Sequence, residues 1–337
     1  MGEVYYLTRQ KLESLLGRAV DPDLVYIAAR QGEKAHFQRY RPGQPFEWAL
    51  GDIRPVEPLK QFFMKFKEAV ARPGGSFDKK LSGQVIVGVK ACDLRAVEVY
   101  DKVFLEGEVT DPFYRERREH TVLISADCPN PEDSCFCNLV GIQPYPVNGF
   151  DLNLSIVDNG YLIEVGSEKG AALVKKVRTI FQPASSEQLK QRDDGRARSV
   201  QKLKEINPTE FSAELPKQVA GRADAEFWAK EATTCVECCA CLHICPTCYC
   251  FLLYDRPDAG ESERIRIWDA CYYAAYARVG GGANPRPDFS QRFKNRFLCK
   301  YSYFPGYHEG LFACSGCGRC ISGCTAKIDI REVLWRV

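Results

Sequence analysis

The sequence has no long hydrophobic run. Nothing in its 337 residues approaches the roughly 20 consecutive apolar positions that a helix needs to cross a bilayer, so no membrane span is expected. The N-terminal stretch MGEVYYLTRQKLESLLGRAV lacks the charged-then-apolar order of an export signal. It opens with Met-Gly, but Tyr6 stands where a myristoylation motif needs serine or threonine. An excess of one charge is missing too. The formal net charge is +2, which gives no basic field and argues against nucleic acid as a partner. No Gly-x-Gly-x-x-Gly fingerprint appears, and the glycine triplet of Gly280-Gly-Gly-Ala-Asn-Pro285 reads as a helix stop rather than a phosphate loop. No bound flavin or nicotinamide is therefore expected. No acid–base pair or nucleophile constellation stands out.

Cysteine is what the chain has in excess. Seventeen cysteines without an export signal point to metal, because disulfides do not persist in a reducing cytoplasm. The expected compartment is the cytoplasm of an anaerobe or a low-oxygen organism. Two stretches carry the pattern: Cys235-Val-Glu-Cys238-Cys-Ala-Cys241-Leu-His-Ile-Cys245-Pro and Cys314-Ser-Gly-Cys317-Gly-Arg-Cys320-Ile-Ser-Gly-Cys324. Both reduce to Cys-x2-Cys-x2-Cys-x3-Cys, the bacterial ferredoxin run for 4Fe–4S clusters. Three thiolates on one tight loop each reach a different iron of a cubane, and the fourth points away to the other cluster. The spacing assigns Cys235, Cys238, Cys241 and Cys324 to a first cluster, and Cys314, Cys317, Cys320 and Cys245 to a second. Cys-x2-Cys pairs alone would also suit a zinc ribbon. Two complete runs favour iron.

A further set lies in the N-terminal half. Gln84–Val89 is a continuous apolar run suited to a strand buried on both faces. Asp93 then caps an expected helix reaching about Val103, and Thr121–Ala126 reads as a second buried strand. Strand, helix, strand at this length is a parallel βαβ unit, whose strand carboxyl ends share the edge where open α/β folds keep their sites. Cys92 and Cys128 emerge at that edge, and Cys135 and Cys137 follow on the loop leaving it. These four cysteines are read as a third cluster, against the alternatives of zinc or of small buried hydrophobes.

The remaining elements give an α+β multidomain chain. A helix is expected at Thr8–Leu16, strands at Leu24–Ala29 and His36–Tyr40, and a helix at Pro58–Ala71 with Leu59, Phe62, Phe63, Phe66 and Val70 facing a core. Lys60 and Lys65 of that segment read as a solvated face. Strands at Leu152–Val157 and Tyr161–Glu164 and a helix near Ala171–Phe181 complete an α/β domain over 1–182 with a partly parallel sheet. Residues 183–225 form a charged connector. Residues 226–337 read as an all-α helical domain with helices at Glu226–Glu231, Arg264–Val279 and Phe289–Lys300. Cys239, Cys248, Cys250, Cys271 and Cys299 are expected to be buried without ligation. His243 and His308 read as surface residues or as neighbours of the clusters.

Cys-Pro-Thr-Cys-Tyr-Cys-Phe after the first run and Cys-Ser-Gly-Cys-Gly-Arg-Cys in the second resemble an iron–sulfur subunit family with two branches. One branch is the beta subunit of cytoplasmic nickel–iron sulfhydrogenases. The other is the corresponding iron–sulfur subunit of anaerobic sulfite reductase. The resemblance reaches into Gly88-Val-Lys-Ala-Cys-Asp-Leu94, Asp111-Pro-Phe-Tyr114 and Cys135-Phe-Cys137, and covers the chain from about residue 55 onward. It implies a helical-ferredoxin C-terminal domain and electron transfer within a larger complex. Thr325 follows Cys324 where such runs usually have proline, which alters the local turn and not the thiolate.

Three functions follow. The first is an electron-transfer subunit. It relays electrons between a flavin subunit linked to NAD(P)H or ferredoxin and a catalytic subunit of hydrogenase, sulfite reductase or heterodisulfide-reductase type. The second is an enzyme with substrate in the N-terminal crevice beside a cluster, where Arg95, Arg117 and Arg118 would hold an anion. The third is a zinc-stabilised scaffold.

Overall fold

The computed structural model describes residues 3–19, 24–72, 83–258 and 261–337; Met1-Gly2 lies outside them. Its strands are β1 (Val4–Thr8), β2 (Val25–Gln31), β3 (Lys34–Arg39), β4 (Lys67–Ala71), β5 (Gln84–Val89), β6 (Thr121–Ala126), β7 (Leu152–Val157), β8 (Gly160–Val165), β9 (Gln182–Pro183), β10 (Phe251–Asp258) and β11 (Glu261–Trp268). Eight of them make one sheet in the order β3-β2-β5-β6-β7-β8-β1-β9. The middle pairings β2-β5, β5-β6 and β6-β7 are parallel and the outer ones antiparallel. β5, the apolar run Gln-Val-Ile-Val-Gly-Val, sits inside the parallel part with every residue but its first buried.

The helices are α1 (Arg9–Ala19), α2 (Ala91–Phe104), α3 (Pro112–Glu119), α4 (Glu168–Lys176), α5 (Ser186–Ile206), α6 (Leu215–Gly221), α7 (Ala225–Ala232), α8 (Ala240–His243), α9 (Phe289–Leu298), α10 (Phe304–Tyr307), α11 (Arg319–Ser322) and α12 (Ile330–Arg336). α2 starts two residues before Asp93, with Lys90 at the cap position. Asp93 is therefore not a cap: it is a buried carboxylate in the first turn. The charged stretch after β9 forms α5, a 21-residue helix opened by a Ser185/Gln188 capping box. It packs on the large sheet, where Arg196 pairs with Asp127 and Glu164.

Two expected helices are replaced by strand and turn. Pro58–Ala71 breaks into a 3-10 turn, Leu59–Phe62, followed by β4, and Phe66 is exposed. Arg264–Val279 starts within β11, which pairs with β10 on one side and β4 on the other. The C-terminal part is thus not all-α: helices surround a three-stranded antiparallel sheet whose third strand comes from the N-terminal half. Arginines bind the sheet to α3. Arg266 on β11 reaches Glu68 on β4 and Asp111 at the α3 cap, and Arg117 on α3 reaches the same Glu68. One buried apolar cluster joins Ala91, Phe136 and Leu139 to Leu203, Trp228, Phe297 and Leu334, so both halves close over a shared core.

Candidate metal centres

The first run turns tightly because Glu237 and Cys239 both take left-handed backbone conformations, after which α8 begins at Ala240. Cys235, Cys238 and Cys241 line one cavity together with Cys324 from the far end of the second run. The Ile328 N–H donates to the Cys324 sulfur at 3.4 Å. Cys238 is exposed, so this cavity opens towards solvent.

Cys245 leaves the first run and joins Cys314, Cys317 and Cys320, all four buried. Lys300 donates to the Cys245 sulfur at 3.4 Å, to the Thr247 hydroxyl at 2.8 Å and to the Ala313 carbonyl at 3.0 Å. The Gly316 N–H donates to the Cys314 sulfur at 3.4 Å. Hydrogen bonds to sulfur of this kind tune a cluster's potential. Burial alone would lower the Lys300 pKa, but the surrounding cysteines, Cys245 first among them, hold it well above the usual value.

The third set also converges. Cys92 lies in the first turn of α2 and Cys128 just beyond β6, at one sheet edge, and both line a cavity with Cys135 and Cys137. Lys90, Arg54 and Cys317 face the same cavity. Burial pushes the Cys135 thiol up to about 11 and the Cys137 thiol well above its ordinary value. A coordinated metal reverses that preference, since it deprotonates a bound thiol outright.

The third set and the second run are locked backbone to backbone. Gly316 and Gly318 have φ of +58° and +72°, and a Cβ on Gly316 would lie 2.5 Å from Cys137 Cα. A Cβ on Gly318 would lie 2.2 Å from the Ser134 carbonyl. The Phe136 N–H donates to the Gly316 carbonyl at 2.8 Å. Only glycine permits this approach.

The donor sets suit clusters better than single ions. Among the described residues, no three His, Cys, Asp or Glu side chains close on one ion. Tetrahedral zinc needs ligand atoms about 2.0–2.3 Å from one centre, whereas a cubane spreads its thiolates over separate irons. Buried cations ring the thiols. Lys60, Lys90 and Lys300 are each at most 4% exposed, and among the described residues none makes an ion pair with a carboxylate. A buried cation is costly without a counter-charge, and an anionic thiolate cluster supplies one.

The family description "4Fe-4S dicluster domain" matches residues 234–328, the stretch holding both runs. Sulfhydrogenase 2 subunit beta of Pyrococcus furiosus is 32% identical over 299 residues, covering 86% of this chain and 85% of its own. The chain belongs to the sulfhydrogenase beta-subunit family.

In this member of the sulfhydrogenase beta-subunit family, Asp111-Pro-Phe-Tyr114 is structural: Asp111 accepts the Tyr114 N–H at 2.8 Å and pairs with Arg266. Arg95, Arg117 and Arg118 pair with Glu98, Glu68 and Asp101, which leaves no arginine of that set aimed into the crevice. His243 shares a 2.9 Å hydrogen bond with Tyr273. Lys60 is not a solvated residue: it is buried over the Trp268 ring at 4.2 Å and donates to the Leu242 and Cys248 carbonyls. Lys300 and Arg296 escape a reading of the sequence alone. Their signal is a four-residue repeat, Arg292, Arg296 and Lys300, alongside the aromatic repeat Phe289, Phe293, Phe297 and Tyr301. All three cations are buried.

Proposed function

We propose that this chain is the electron-transfer subunit of a cytoplasmic multisubunit oxidoreductase, with three 4Fe–4S clusters. Cys235, Cys238, Cys241 and Cys324 would hold the first, Cys245, Cys314, Cys317 and Cys320 the second, and Cys92, Cys128, Cys135 and Cys137 the third. Such clusters supply one-electron chemistry. The chain's part is to fix their spacing, bury them and donate hydrogen bonds to sulfur. One observation carries the reading: the thiol sets are contiguous. Cys317 faces the third cavity while its run reaches Cys245, and Cys241 lies within electrostatic reach of Cys245 and Cys324. The partners are a flavin subunit linked to NAD(P)H or ferredoxin and a catalytic subunit, with hydrogenase type favoured by the sulfhydrogenase relative over sulfite reductase or heterodisulfide-reductase type. Among the described residues no helix is long and apolar enough to cross a membrane.

The test is iron, acid-labile sulfide and zinc per chain on anaerobically purified protein. Three cubanes require about twelve irons, and Cys92→Ser with Cys135→Ser removes about four of them. Zinc in place of iron would overturn the reading. Unchanged iron in the double variant would return the N-terminal set to the core.

A further inference from the structure

Of the five cysteines outside the three sets, Cys239 lines the cavity of the first run, whereas Cys250, Cys271 and Cys299 come together elsewhere. Cys250 stands immediately before β10, and the Asp269 N–H donates to its carbonyl at 3.0 Å, closing the open end of the β10–β11 hairpin. Cys271 follows two residues later on the same end. Cys299 opens the π-helical turn Cys299–Tyr303, a widened turn of the kind that recurs at functional sites. Cys271 lies within electrostatic reach of both Cys250 and Cys299. Two tyrosines address the sulfurs: Tyr276 donates to Cys250 at 3.2 Å, and the Tyr249 hydroxyl lies 3.9 Å from Cys299.

Cys248 stands between this group and the second set, its thiol hydrogen-bonded to the Cys245 sulfur. Lys60 and Tyr100 both donate to its carbonyl, at 3.1 and 2.8 Å, which pins the peptide between Cys245 and Cys250. Lys60 is within electrostatic reach of Cys248 and Cys250, and Lys300 of Cys248 and Cys299. Two buried lysines thus stand over a nest of thiols, and neither has a carboxylate partner among the described residues. The Cys245 set supplies a counter-charge beside Lys300, but Lys60 has only the Trp268 ring and two carbonyls to set against its burial. A further thiolate-bound anion supplies the counter-charge that Lys60 lacks.

We propose that Cys248, Cys250, Cys271 and Cys299 hold a fourth iron–sulfur cluster beside the second. It rests on the reading of this chain as an iron–sulfur protein and adds a site to it. Placed next to Cys245 and Lys300, it turns the second cluster from a link in a line into a branch point.

The experiment compares the full wild-type chain with Cys250→Ser/Cys271→Ser and with Cys92→Ser/Cys135→Ser, all purified anaerobically after growth on 57Fe. Iron and sulfide are counted and Mössbauer and EPR spectra recorded. The first pair is expected to lose about two or about four irons, according to cluster type, and to keep the signals of the two ferredoxin runs. Full wild-type iron in that pair overturns the proposal, whether the thiols are free or paired as a disulfide. Loss only in the Cys92/Cys135 pair sinks the fourth site and leaves the three-cluster reading standing; absence of iron from the wild type sinks both. Should the first pair fail to fold, Cys299→Ser decides. A serine ligand alters the spectrum of one cluster, and an unchanged spectrum overturns the site.

Discussion

Arg319 donates two hydrogen bonds to Asp93, from Nη1 to Oδ1 at 2.8 Å and from Nη2 to Oδ2 at 3.0 Å, with both side chains at most 1% exposed. Asp93 follows Cys92 and Arg319 precedes Cys320, so a single fork joins the third cysteine set to the second run. The remaining guanidinium hydrogen bonds go to the carbonyls of Pro55, Val56 and Glu57.

Asp93→Ala leaves that guanidinium buried without its counter-charge. The expected loss is about 3–5 kcal/mol in denaturant unfolding. Asp93→Leu combined with Arg319→Met removes both charges, and its cost should be much smaller than that of either single change.

Gly316→Ala puts a Cβ against the Cys137 backbone at a φ that alanine resists. Neither strand of the contact is a side chain able to swing away, so the loop of the second run must retreat. A lowered Tm is the expected result, with a weakened magnetic interaction in EPR between the clusters proposed for the second and third cysteine sets. An unchanged spectrum with unchanged Tm would show that the two loops are not locked.

Lys300→Met removes a cation and a hydrogen bond from the Cys245 sulfur while keeping the bulk of the chain. Reduction adds negative charge to a cluster, so losing a nearby cation makes it harder. One reduction potential should fall by on the order of 60 mV, taking about 1.4 kcal/mol for the lost interaction. Anaerobic redox titration followed by EPR measures it.

Iron removal should be felt as lost stability, because Lys60, Lys90, Lys300 and Arg296 then face neutral thiols. Chelation of anaerobic protein should lower Tm by about 10 °C, taking the cost of an uncompensated buried charge. In the Lys300→Met variant the same treatment should lower it less. Equal drops would place the counter-charge elsewhere.

The central strands were legible because their information is local. Gln84–Val89 and Thr121–Ala126 are continuous apolar runs, and the structure starts and ends both strands at those residues. Spacing predicts the grouping of the two runs and the shared edge of the βαβ unit predicts that of Cys92 with Cys128, Cys135 and Cys137; the cavities bring Cys324 beside the first run and those four cysteines together. The three-stranded sheet was not legible. Arg264, Ile265, Arg266 and Ile267 alternate as a strand does, but the aromatic residues after Trp268 suggested helical spacing. The pairing of β11 with β4 spans almost two hundred residues of chain, roughly Lys67 to Ile267, and no local pattern announces it. Lys60 failed for a related reason. Its burial depends on Trp268 and on the distant Leu242 and Cys248 carbonyls, and a lysine between Leu59 and Gln61 looks solvated until those neighbours are in place.

The glycine contact between the second run and the Cys135 loop also sets a timetable for synthesis. Gly316 and Cys317 wall the third cavity, and Cys324 to Ile328 wall the first. Neither cavity therefore has all its sides until the second run has been synthesised. Iron delivered to these cavities would have to follow synthesis of the second run, and a truncation shortly before Gly316 would cost the amino-terminal cysteines a wall of their cavity as surely as it costs the carboxyl-terminal ones theirs.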